Sequence, residues 1–229
     1  MSYTRQSPSP RYLELLEIYK TVHNVGFINQ NIPAEKTFSG GSLTPHLMQI
    51  KKLLDETKSQ SLLDYGSGKA SKYQATNVKI ENEVFPSLKA FWTVYDIVCY
   101  DPAYEPFSRL PERAFDAVIC TDVLEHIPET DVPWILEEQF RYATRFLFAN
   151  VACYPAAKEL PNGENAHCTI RPPEWWENTI KKAHTKSGSN ADYLFLIETK
   201  TSKSKWFGLK KKQVAIRSPL SNRADWMHL

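Results

Sequence analysis

Residues 62–71 read LLDYGSGKAS. Two leucines and an aspartate lead into two glycines one residue apart, the pattern of a short buried strand ending in a sharp turn. Glycine costs backbone entropy, so a close pair is kept where the chain needs positive φ or where something approaches the main chain. An acid followed by G-x-G, between a strand and a helix, lets a backbone close on a nucleotide-like ligand.

Upstream of that turn, Ser9-Pro10 is a cap and first-turn pair for a helix carrying Tyr12, Leu13, Leu16, Tyr19 and Lys20 and ending before Gly26. Residues 27–41 read as a loop. A second helix starts at Thr44-Pro45, with Leu47, Ile50, Leu53 and Leu54 on one face. Downstream, residues 71–92 show no clear period. TVYDIVCYD (93–101), AFDAVICTD (114–122) and FLFANVAC (146–153) are apolar runs of strand length, with a helix over roughly 131–144 before the last. A polar loop then leads to a helix near 172–183. YLFLIE (193–198) and QVAIR (213–217) close the chain as a hairpin around a lysine-rich loop. Strands alternating with helices predict an α/β fold, with a mostly parallel sheet, helices on both faces and an antiparallel C-terminal hairpin. Such sheets bind ligands beyond the carboxyl ends of their strands, where the strand order reverses. Asp64, Asp101 and Asp122 each sit at such an end.

A chain of 229 residues can bury one substantial core without a second domain. A hydrophobic fraction of 42% and a charged fraction of 24% are those of an ordinary globular protein. The net charge of +2 gives no global argument for nucleic acid or a membrane surface. Cys99, Cys120, Cys153 and Cys168 form no C-x-x-C pair, which argues against a cysteine zinc site and a disulfide framework. The polar start MSYTRQSPSPRY is no signal peptide, and no apolar run approaches the ~20 residues of a membrane helix. A cytoplasmic protein is expected.

LLDYGSGKA, then YDPAY (100–104), then FDAVICTDVLEHI (115–127) resembles the motif series of class I S-adenosylmethionine-dependent methyltransferases, over roughly residues 43–153. The resemblance implies a Rossmann-like fold and S-adenosyl-L-methionine as cofactor. It places the glycine motif on Asp64, Tyr65, Gly66 and Gly68, with Ala70 for the third glycine. It places the ribose acid on Asp101, beside Pro102, and the lining of the methyl donor on Thr121, Asp122, Val123 and Leu124. Residues 42–229 would form the methyltransferase domain and residues 1–41 an N-terminal helix with a lid-like loop. Only 15 positions separate Asp101 from Asp116, where the family fits a helix and a further strand. The sheet is therefore expected to lack one edge strand or to reroute it, leaving Pro102, Ala103 and Tyr104 for the adenine. A dinucleotide fingerprint would need glycine where Ser71 stands, and an acid about 20 residues on rather than 37.

Methyl transfer requires an oriented acceptor and, from a hydroxyl or protonated amine, removal of a proton. His126, just past the strand carrying Asp122, is one candidate base; the plainer alternative is that Glu125 and His126 only start the next helix. The loop KELPNGENAHCTIRPPEWW (158–176) offers a second candidate base, His167, with Asn165, Arg171, Trp175 and Trp176 as acceptor-binding groups. Its plainer alternative puts a tryptophan in the core and His167 on a turn. Ser39-Gly40-Gly41, with Phe38, Tyr19 and His23, would fold over the cofactor or simply connect two helices. KSKWFGLKKK (203–212) reads as a phosphate-holding patch or, more plainly, a solvated hairpin tip. No two histidines and carboxylates fall at ligand spacing such as i and i+4 on a helix, so no metal is expected and EDTA should leave cofactor binding and any activity intact. The expected acceptor is a small molecule or glycan. The alternatives are a non-catalytic cofactor-binding subunit and an RNA methyltransferase. The tetrapeptide and P-C signatures of DNA methylation are absent, TDVL standing where the first would fall.

Overall fold

The structure, a computed structural model, describes residues 3–203 and 207–218. Ser9 starts the first helix by accepting the Tyr12 N–H (3.0 Å), and Pro10 occupies the first turn, where an N–H would have no helical partner. This helix, α1 (Pro10–Val25), stops at Gly26, whose φ is +84°. A Cβ there would meet the Ile32 carbonyl oxygen at 2.1 Å. Short 3-10 turns fill residues 28–46, so α2 (Leu47–Thr57) begins slightly later than Thr44-Pro45 predicts. β1 (Ser61–Tyr65) follows, then the glycine turn and a single helical turn, α3 (Ser71–Gln74). The stretch without a clear period holds a small antiparallel pair, β2 (Val78–Ile80) and β3 (Glu83–Phe85), and the short α4 (Leu88–Trp92). The remaining elements are β4 (Asp96–Tyr100), β5 (Phe115–Thr121), α5 (Val132–Tyr142), β6 (Ala143–Ala152), α6 (Pro173–Ser187), β7 (Asp192–Lys203) and β8 (Phe207–Arg217).

The main sheet has six strands in the order β4-β1-β5-β6-β7-β8. The first five are parallel, and β8 runs antiparallel to β7 at one edge, as predicted. The hairpin is longer than expected. Lys210, Lys211 and Lys212 lie in register within β8, while Trp206 and the tip fall outside the described residues. At the other edge the sheet ends on β4, because residues 101–114 hold only a 3-10 turn, Glu105–Phe107.

The period of two along each strand sorts side chains onto opposite faces. Leu63, Val118, Cys120, Leu147 and Phe195 pack under α5 and α6 against Ile135, Phe140, Trp176 and Ile180. Leu62, Ala117, Ile119, Phe148 and Leu194 face α2 and α4, against Ile50, Leu53, Leu54, Phe91 and Trp92. A smaller cluster of Leu15, Val22, Phe27, Leu160 and Ala166 joins α1 to the loop after β6. The architecture is a Rossmann-like α/β sandwich. Among the described residues no helix is long and apolar enough to cross a membrane.

Candidate active site

The chain steps from β1 to β4 on one side and to β5 on the other, so the strand order reverses over β1. A cavity of about 570 Å³ opens there, at the carboxyl ends of these strands. One wall is the glycine turn with Asp101–Ala103 and Thr121–Val123. His126, Tyr154, Lys158 and His167 line the cavity as well, the two histidines beside Asp122. Tyr19 and His23 of α1, with Phe38 to Ser42, cover the top.

The glycines are needed for contacts inside the chain. Gly66 has φ +89°, and a Cβ would meet Val123 Cγ2 at 2.4 Å. Gly68 has φ +57°, and its Cβ would meet the Phe38 carbonyl oxygen at 2.2 Å. The Lys69 N–H donates to that same oxygen (2.7 Å), and the Lys69 ammonium donates to the carbonyls of His23 (3.0 Å) and Ala34. The segment approaching the turn is therefore the covering loop, with Val123 beside it. Ala70 is also left-handed, at φ +54°, so it keeps a glycine's conformation while burying its methyl.

Asp101, the residue after β4, is a buried carboxylate on the cavity wall. Its Oδ2 accepts the Gly68 N–H and its Oδ1 the Ala103 N–H, both at 2.9 Å. Burial pushes its carboxyl up from the usual range, and these backbone bonds pull it back. No lysine or arginine among the described residues pairs with it. The one ion-pair neighbour, His23, lies 3.9 Å away, and burial lowers that imidazole to about 4. Asp64 stands behind the wall. Tyr73 donates to its Oδ2 (2.7 Å), its Oδ1 has no partner, and burial raises it to about 7.

Asp122 is exposed to the cavity, with φ +60° just past β5. Leu124 and Glu125 turn inward and are fully buried. Glu125 Oε1 accepts the Ala152 N–H (2.7 Å), and its own carbonyl takes the Thr169 N–H, so the turn is anchored to β6 and to the far loop. His126 then points into the cavity. Its Nδ1 lies 2.9 Å from the Ala166 carbonyl oxygen and 2.8 Å from the Tyr19 hydroxyl, which itself donates to Ala166 O. Only a protonated Nδ1 avoids setting two lone pairs against each other at that carbonyl. His167 Nδ1 lies 2.6 Å from the Tyr154 carbonyl oxygen, and the same argument protonates it. In the neutral form of each ring the free lone pair is then on Nε2. Burial lowers His126 to about 4, so it is neutral at physiological pH.

Of the residues expected at the site, Tyr65, Gly66, Gly68, Asp101, Pro102, Thr121, Asp122, Val123, His126 and His167 line the cavity. Asp64 and Leu124 support it from behind. The other loop residues go elsewhere. Asn165 pins the loop, accepting the N–H groups of Ala156 and His167 and donating to Ala156 O. Arg171 pairs with Glu129 outside the cavity. Trp176 is core, and Trp175 packs edge-on against it. Tyr104 stacks on His23 and does not face the cavity. Sequence reading missed Tyr154 and Lys200 on the wall. It also missed that Asp122, His126 and His167 converge, because Asp122 and His126, four apart, lie on a turn after β5 rather than an α-helix, and His167 is 41 residues further on.

No protein-family model matches the chain, and no curated protein sequence matches it.

Proposed function

We propose that the protein is a methyltransferase using S-adenosyl-L-methionine, with a small molecule or glycan as acceptor. The observation that carries this reading is the buried Asp101 carboxylate on the cavity wall, beside the glycine turn and without a cationic partner among the described residues. A carboxylate so placed, with backbone donors on one side, has lone pairs left for the vicinal hydroxyls of a ribose. Pro102 and Ala103 offer an apolar edge for a base, and residues 121–123 would flank the rest of the donor. Bound there, S-adenosyl-L-methionine supplies an electrophilic methyl group on a sulfonium. Asp122 faces the same space and favours a positive charge over the pyrophosphate of a dinucleotide. His126 and His167 lie beside Asp122 on the cavity lining, where an imidazole can hold or accept a proton of an acceptor hydroxyl. The tilt of this lining toward polar groups supports a small hydroxylated acceptor.

Calorimetry with S-adenosylhomocysteine tests the reading. One site per chain is expected. Asp101→Ala should weaken it by roughly 1.5–3 kcal/mol, the worth of charge-assisted hydrogen bonds, and Asp101→Asn by less. No binding by the wild type, or unchanged affinity in both variants, would sink it. A non-catalytic subunit would bind equally well, and is distinguished by finding no turnover of donor with any hydroxylated acceptor.

A further inference from the structure

Asp122, His126 and His167 come from two distant segments and meet at the cavity wall. A carboxylate oxygen of Asp122 and one nitrogen of each imidazole all lie within 4.8 Å of one another. The two rings stand edge to face, with centroids 4.8 Å apart. Each Nδ1–H is tied to a backbone carbonyl, Ala166 O for one and Tyr154 O for the other. These carbonyls fix the tautomer of each neutral ring and leave its lone pair on Nε2, as ligating histidines require. Tyr19 braces the first of these bonds. Beneath the set, fully buried Glu125 has one carboxylate oxygen, Oε2, without a hydrogen-bond partner. Its other oxygen holds the Ala152 N–H, so Glu125 fixes the turn that carries Asp122 and His126.

We propose that Asp122, His126 and His167 form a binding site for one divalent first-row transition-metal ion, opening onto the cavity. Bonds of ~2.0–2.2 Å hold tetrahedral or octahedral ligands roughly 3–3.5 Å apart, so the set closes by at most about 1–2 Å on binding. Two imidazoles and one carboxylate suit zinc, iron, cobalt or manganese better than magnesium or calcium, which take oxygen ligands. Three protein ligands leave coordination positions open toward the cavity, the mark of a site that meets a substrate. This binding stands apart from the methyl-transfer reading. What it adds to that reading, and rests on it for, is an acceptor class: a molecule with a hydroxyl able to take an open position on the ion and so become more acidic.

The test uses the full chain, stripped with EDTA and desalted, then titrated with Zn²⁺ against a chromophoric chelator and separately with Co²⁺. One ion per chain is expected, with the visible absorption of cobalt bound by nitrogen and oxygen. Asp122→Asn and His167→Gln should each weaken binding tenfold or more, while Glu129→Gln, outside the cavity, should stay within twofold. Asp122 is the exposed member, so its variant keeps the test decisive if His167→Gln fails to fold. Binding unaltered in Asp122→Asn, a near-ultraviolet thiolate-to-cobalt band, or no stoichiometric ion would each overturn the proposal. Metal binding without S-adenosylhomocysteine binding would support this site and sink the methyl-transfer reading; the converse would do the opposite.

Discussion

Asp64 lies within β1, opposite Cys99, while Asp101 follows the end of the neighbouring β4, and the two acids differ in what they can do. Asp101 reaches the cavity and is held by two backbone N–H groups; Asp64 is enclosed, with one tyrosine donor and one bare oxygen. Burial, with the nearby Asp101 charge in support, lifts Asp64 to about 7 from an ordinary value near 3.8. Between those two values the folded chain holds a proton that the unfolded chain has released. By linkage, this group then lowers stability as pH rises from about 4 to 7, and the loss is complete above 7. Asp64→Asn removes the titration and keeps an oxygen for Tyr73. The stability of the variant relative to wild type should therefore rise by on the order of 2–4 kcal/mol between pH 4 and pH 8. Urea unfolding at the two pH values measures it, and a pH-independent difference would mean that Asp64 is ionised in both states. The acid and the glycines were legible in the sequence because their residue types are costly outside a turn or a site. Their reasons were not, since the atoms that Gly66 and Gly68 avoid belong to Val123 and Phe38.

The elements divide along the same line. Long periodic segments were readable: α1, α2, α5, α6 and the five parallel strands follow from apolar spacing, caps and turn residues. The β2–β3 pair and α4 were not, because three- to five-residue pieces carry too little period to separate from a loop. Helix α6 shows what spacing leaves open. Trp175 and Trp176 are adjacent and about 100° apart around the helix, so one must face inward, and the sequence does not say which. The fold buries Trp176 completely among the residues under α5 and α6 and leaves Trp175 at the margin. Trp176→Ala should cost about 3–5 kcal/mol, as for other large core deletions. Trp175→Ala should cost clearly less. Melting of the two variants decides it, and equal losses would place both rings in the core. A fall in acceptor turnover in Trp176→Ala at temperatures where it remains folded would return that ring to the acceptor site.

At the scale of the whole molecule, a rigid sheet carries a cover made of weaker pieces. Strands β5 and β6 are buried on both faces, whereas residues 27–41 hold only 3-10 turns and a few backbone bonds. Segments of that kind open locally at far lower free energy than the core. The cover is fastened to the glycine turn mainly through Lys69, whose ammonium holds His23 O and Ala34 O while its N–H holds Phe38 O. Lys69→Met keeps the last bond and removes the first two, at a net cost of about 1–2 kcal/mol to the closed state. Hydrogen exchange over residues 34–41 should then speed up by roughly 5–30-fold in the free protein. Exchange in β5 and β6 should not change, because their opening follows the global stability. Affinity for S-adenosylhomocysteine should respond far less. Apparent affinity scales with the closed fraction, so a cover that falls from ~99% to ~90% closed loses only about a tenth of its binding-competent population. A dissociation constant within twofold of wild type, beside the faster exchange, would mark these residues as a gate. A loss of affinity as large as the gain in exchange would instead mean that the cover contacts the ligand directly. Unchanged exchange would show that the covering loop is held by Gly68 and Phe38 packing alone.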